Sequence, residues 1–126
     1  MTTLLETHEA CLAHETPEGH PECAARLKAV LGALEAPEFA DLTRIAAPRA
    51  ETKALVRVHS QAHIDAILSM VPEEGFARVD ADTAMSPGSG EAALRAAGAV
   101  IDAVDRVMAG EAENAFCAIR PPGHHA

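Results

Sequence analysis

At 126 residues, with 48% hydrophobic and 23% charged residues, the chain has the make-up of one small globular domain. Its net charge of −9, with no run of Lys or Arg, excludes the basic surface that nucleic-acid binding requires. No stretch of about 20 apolar residues is present to cross a membrane.

The amino terminus carries neither a basic leader nor a long apolar segment, so no signal peptide is expected. Cys11, Cys23 and Cys117 form an odd set without framework spacing, which fits a reducing cytoplasm. Alanine supplies much of the apolar content, and Phe39, Phe76 and Phe116 are the only aromatics besides histidine. A core of that kind buries little area per residue, so marginal stability is expected of the isolated chain.

In chain order, Thr3 to Thr7 reads as a short strand. A polar loop follows from His8 to His20, broken by Pro17 and Gly19. Pro21 suits the first position of a helix, in which Leu27, Val30, Leu31 and Leu34 make one stripe and Glu22 pairs with Arg26. Pro37 ends that helix near Ala36. Leu42 to Ala46 reads as a second strand. Thr52 is positioned to cap a short helix through Val58. Ser60 caps the next, with Ile64, Ile67, Leu68 and Val71 as its stripe.

Gly75 to Asp82 reads as an extended connector. The longest helix is expected from Pro87 to Ala109, with Leu94, Ala97, Ile101, Val104 and Met108 on one side. Glu91–Arg95 and Asp102–Arg106 pairs support its solvent face, and Gly110 stops it. Ala115 to Ile119 is an apolar run that reads as a buried strand feeding the stiff loop Arg120-Pro121-Pro122-Gly123-His124-His125. Strands alternating with helices imply an α/β fold with a parallel sheet. Three strands leave at least one sheet edge open.

Two imidazoles at the carboxyl end of such a strand sit where α/β sheets bind ligands, and imidazole moves protons near neutral pH. The string RPPGHHA, residues 120–126, closely resembles the tandem-histidine motif of the histone deacetylase superfamily, which includes acetylpolyamine amidohydrolases and bacterial deacetylase-like amidohydrolases. Cys11-Leu12-Ala13-His14-Glu15-Thr16, Gly19-His20-Pro21-Glu22 and Arg26-Leu27 resemble that family's first loop and helix. Asp80-Ala81-Asp82-Thr83, Ser86-Pro87-Gly88-Ser89, Glu91-Ala92-Ala93 and Ala97-Gly98-Ala99 resemble its middle segment.

The resemblance implies the amino-terminal part of an arginase/deacetylase-type three-layer α/β fold, with residues 1–126 forming part of a single domain whose remainder is expected downstream. It implies a zinc-dependent amidohydrolase acting on acyl-lysine side chains or polyamines. His125 would be the general base and later acid, and His124 its electrostatic partner. Asp82 would grip substrate amides at the rim, His20 and Pro21 would line the mouth, and Arg26 would face a channel for released acetate. Pro121, Pro122 and Gly123 would bend the loop until both imidazoles face one cavity. The family's zinc ligands, an Asp-X-His pair and a further Asp, and its oxyanion-stabilising tyrosine would lie beyond residue 126. No metal ligand is therefore expected within this chain, and by itself it should be catalytically incomplete.

Two other readings stand beside that one. The chain could act as a non-catalytic assembly module that completes its sheet with another chain, a homo-oligomer included. Alternatively, Cys11, His14, His20 and Cys23 could hold a small structural zinc, although their spacing matches no common finger.

Overall fold

A computed structural model describes residues 1–125, and its centre is a strand buried on both faces. That strand is β1 (Thr3–Thr7), in which Leu4, Leu5 and Glu6 are each buried. A 3₁₀ turn, Glu9–Leu12, follows, and α1 spans Ala24–Ala33. After a second 3₁₀ turn at Pro37–Phe39 come β2 (Thr43–Ala46), α2 (Thr52–Leu55) and α3 (Gln61–Ser69). The two-residue strands β3 (Ala77–Arg78) and β4 (Ala84–Met85) precede α4 (Ser89–Met108) and β5 (Asn114–Cys117).

The main sheet has the order β2-β1-β5 and is parallel throughout, with Leu4 opposite Thr43 and Leu5 opposite Phe116. Side chains alternate across a strand, so Leu5 faces one way and Glu6 the other. Leu5 joins Cys11, Leu27 and Ala118 in a core flanked by Leu12, Leu31, Leu34, Leu42 and Ile119. The opposite face, under Glu6, carries α4, which packs on β1 and β5. Helices on both faces make three layers, as expected. Both β2 and β5 are outer strands, so β5 is not the buried strand expected: Asn114, Ala115 and Phe116 are exposed and Cys117 is only partly covered. Among the described residues no helix is long and apolar enough to cross a membrane.

Five further expectations need correction. Helix α1 starts at Ala24 rather than Pro21, because Cys23 is extended (φ −127°, ψ 157°) and Glu22 is drawn out of helical register. The Glu22–Arg26 pair gives way to a Glu22–Arg120 pair. Residues 75–82 are not a plain connector, since β3 and β4 pair antiparallel across their turn. The sheet-facing side of α4 is its alanine side, Ala92, Ala96, Ala99 and Ala103, while Ile101, Val104 and Met108 are exposed. Small side chains let the helix axis lie close to the strands, which larger aliphatics would prevent. Finally, Arg95 and Arg106 do form their helical pairs, but they also turn inward. Arg95 Nη1 donates to the Ala47 carbonyl at 2.9 Å, and Arg106 Nε comes within 4.0 Å of Glu6.

Gly98 sits where α4 crosses the loop after β2. A Cβ there would overlap the Pro48 carbonyl, beside the Ala50 amide that donates to Leu94. Backbone cannot retreat as a flexible side chain can. Gly98→Ala is expected to lose more than about 2 kcal/mol, a fall in Tm of roughly 5–10 °C in a thermal melt. A melt unchanged from the parent would show that α4 can slide away from Pro48.

Candidate active site

Strand β5 delivers the tandem histidines to the carboxyl end of the sheet. Ala118 N–H donates to Glu6 and Thr7 Oγ1 donates to the Ala118 carbonyl at 2.7 Å, so the strand stays fixed to β1 as it leaves. Gly123 then takes φ +77°, the left-handed conformation that favours glycine, and turns the chain. Beyond it the His124 and His125 rings lie side by side, with centroids 4.2 Å apart and planes inclined at 48°.

Asp82 stands between two of the imidazoles singled out from the sequence. Its Oδ2 is 3.4 Å from His125 Nε2, and its Oδ1 is 3.6 Å from His20 Nε2. The Asp82 carbonyl is 3.2 Å from His20 Nε2 as well. Glu22 N–H donates to His20 Nδ1 at 3.1 Å, so the neutral ring carries its proton on Nε2 and donates toward Asp82. The β3–β4 turn is what presents Asp82. Asp82 N–H donates to the Asp80 carboxylate at 2.8 Å, and this bond holds the exposed Asp80 carboxyl below the usual range. Asp80 is thus the turn-maker, and Asp82 is the residue that meets the rings.

A cavity of about 230 Å³ opens beside this cluster, lined by His20, Arg78, Asp82, Thr83 and Ala84 among others. A larger hollow of about 350 Å³ near Thr7, His8 and Arg44 contains none of the cluster's side chains. Pro21 is exposed next to His20. Arg26 lies on the exposed face of α1 and is not part of the cluster.

The guanidinium that does enter the loop is Arg120, only 4% exposed. It forms a two-pronged pair with Glu22, Nε to Oε1 at 2.6 Å and Nη2 to Oε2 at 2.8 Å. Its Nη1 also donates to the carbonyls of Cys11, at 3.0 Å, and His14, at 2.7 Å. His14 is buried in the same nest, with Nδ1 at 2.6 Å from Ser89 Oγ and Nε2 at 3.5 Å from Glu22. Burial, and then the Arg120 charge, push the His14 imidazole below its ordinary pKa, which favours the neutral ring. Ser89 Oγ accepts from Ser86 N–H at 2.7 Å, and Ser86 Oγ accepts from Glu15 N–H at 2.9 Å. Sequence reading passed over this role of Arg120. Its partners are about a hundred positions away, although its place just before two prolines marked the motif.

No group of three or more His, Cys, Asp or Glu side chains able to hold a metal comes together among the described residues. His14 and His20 are each engaged with other partners, and Cys11 is buried in the core, so the Cys11, His14, His20 and Cys23 zinc reading gains no support. The residues present do not form a zinc site by themselves.

Residues 20–126 match the family model described as the histone deacetylase domain. An uncharacterised protein of Synechocystis is 40% identical over 119 residues, covering 91% of this chain and 38% of its own length. A histone deacetylase-like amidohydrolase of Pseudomonas aeruginosa is 38% identical over 105 residues, covering 83% of this chain and 27% of its own. The crystal structure of the HDA15 HD domain superposes with a TM-score of 0.91 at 29% identity, covering 99% of this chain and 36% of that one. The chain thus spans about a third of the length of these proteins.

Proposed function

Because this chain belongs to the histone deacetylase family, we propose that it supplies the proton-handling side of a zinc-dependent amidohydrolase that removes acyl groups from lysine side chains or polyamines. The observation that carries the reading is His125 facing Asp82 across the end of a parallel sheet, with His124 against it and His20 opposite.

Amide hydrolysis needs a base for the attacking water and an acid for the departing amine. The His125 imidazole takes the water's proton on the ring nitrogen that does not face Asp82 and returns it to the amine nitrogen as the C–N bond breaks. His124 shares the charge that develops on its neighbour. Asp82 and His20, beside the cavity, are substrate-binding residues at the mouth, with Pro21 on the rim. Arg26 is assigned to released acetate by resemblance alone, since its exposed position adds no support. A net charge of −9 favours cationic substrates such as basic tails and polyamines. Zinc in such enzymes activates water and polarises the carbonyl. By the family resemblance, its ligands and the tyrosine that donates to the oxyanion would belong to residues outside these 126, which contain no tyrosine. Three free cysteines fit a cytoplasmic setting.

The test joins this chain to the downstream remainder of a relative's deacetylase domain and follows release of acetate from an acetyl-lysine peptide and an acetylpolyamine. Turnover that needs zinc is expected in the joined protein, with none above background from the 126 residues alone. A folded, zinc-loaded fusion without turnover would count against the hydrolase reading. Activity of the chain by itself would count against its dependence on outside residues. A non-catalytic assembly role is the second reading, supported by the open edge at β5 and its half-exposed Phe116.

A further inference from the structure

We propose that Arg120 is a positioning residue that sets the spacing of His20, Asp82 and His125; the proposal rests on the hydrolytic reading for its purpose, though not for its geometry. The argument starts from what the guanidinium holds. One prong of contacts goes to the loop carbonyls of Cys11 and His14 and the other to the Glu22 carboxylate, so the side chain is the peg around which residues 11–22 fold.

Glu22 connects that peg to the cluster. Its side chain takes the guanidinium while its own N–H donates to His20 Nδ1, which fixes the His20 proton on Nε2, facing Asp82. On the other side, Arg120 is itself the start of the loop that carries His125, whose Nε2 faces the second oxygen of Asp82. Contacts therefore run in a closed circuit: Arg120 to Glu22, Glu22 to His20, His20 to Asp82, Asp82 to His125, and back along the chain to Arg120. Releasing the guanidinium opens the circuit at the one residue that belongs to both arms.

The burial makes the choice of arginine specific. A guanidinium offers five donors in a flat fork, enough for a carboxylate and two carbonyls at once. An ammonium in the same place is a compact point charge that cannot span the carboxylate fork and both carbonyls. His14, neutral and turned toward Glu22, adds no second positive charge to the nest.

The experiment is nitrogen-15 NMR of the histidine side chains in the 126-residue chain, in the parent and in Arg120→Lys. The parent should show His20 as a single Nε2–H tautomer, with cross-relaxation between the His125 ring protons and the Asp82 β protons. In Arg120→Lys, at unchanged helix content, we expect mixed His20 tautomers and loss of the His125–Asp82 contact. Glu22→Gln, which keeps an acceptor for Arg120 Nε but removes the charge, should move the same two signals less. If either folded variant keeps both signals intact, the proposal is overturned. Unfolding of both variants would overturn it too, because the guanidinium would then support the whole fold rather than position a cluster. Neither readout depends on deacetylation, so a failure of the hydrolytic reading is seen separately in the fusion assay.

Discussion

His125→Ala, introduced into this chain joined to the remainder of a deacetylase domain, is expected to lower kcat by roughly 10²–10⁴-fold, the range for removing a positioned proton carrier. The side-by-side histidines invite the question of which one carries the proton. His125 has a carboxylate facing its Nε2, at 3.4 Å, whereas His124 has its neighbour's ring as the contact the geometry records. An imidazole oriented by a carboxylate is the better-placed base, by the same logic that couples acid, histidine and nucleophile in hydrolytic triads. His124→Ala should therefore cost less in kcat while altering the pH profile, because it removes charge beside the working ring. KM should change little in either variant, since neither ring lines the cavity beside His20 and Asp82. Steady-state kinetics on an acetyl-lysine peptide decides the matter. A larger loss from His124→Ala than from His125→Ala would reverse the assignment.

Much of the site was legible because it sits in short strings with local meaning. Gly123 before the histidines, Ser60 capping α3 through His63 N–H, and Gly110 at φ +80° after α4 are each readable from neighbours in sequence. The three strands of the main sheet were legible in position too, but only β5 was an apolar run bounded by breakers, and its burial was not as read. What escaped depends on contacts distant in sequence. Two-residue strands such as β3 and β4 are too short to show alternation, so the turn that lifts Asp82 toward His20 and His125 left no periodic trace. The orientation of α4 was hidden for a different reason. Hydrophobicity points to Ile101, Val104 and Met108, whereas close packing under a helix selects the alanine side that can approach the strands. Among the described residues, that stripe and the outer edges of both β2 and β5 are among the surfaces left uncovered.

Stability should fall as pH rises from about 4.5 to about 7, because Glu6 is a buried acid whose folded pKa is pushed up to about 7 from 4.5. Burial is the main cause, and the Asp102 carboxyl alongside adds to it, outweighing Arg106 at 4.0 Å. Neither Glu6 oxygen has a hydrogen-bond partner among the described residues. Between those two values the folded chain holds a proton that the unfolded chain has released. Each step up in pH therefore favours unfolding, and the full cost, on the order of 3 kcal/mol, is present above about pH 7. His14 works in the opposite sense, since its lowered pKa leaves the unfolded chain with the extra proton as pH falls below the ordinary histidine range. Asp102, held down chiefly by Arg106, acts only in the more acidic range near and below its ordinary value of 3.8. Glu6→Gln separates these contributions. Urea denaturation at about pH 5 and about pH 8 should show the parent losing stability at the higher pH, while Glu6→Gln loses less or gains. Parallel pH slopes in parent and variant would mean that Glu6 is charged and solvated in the folded chain, and α4 could not then lie on β1 as described.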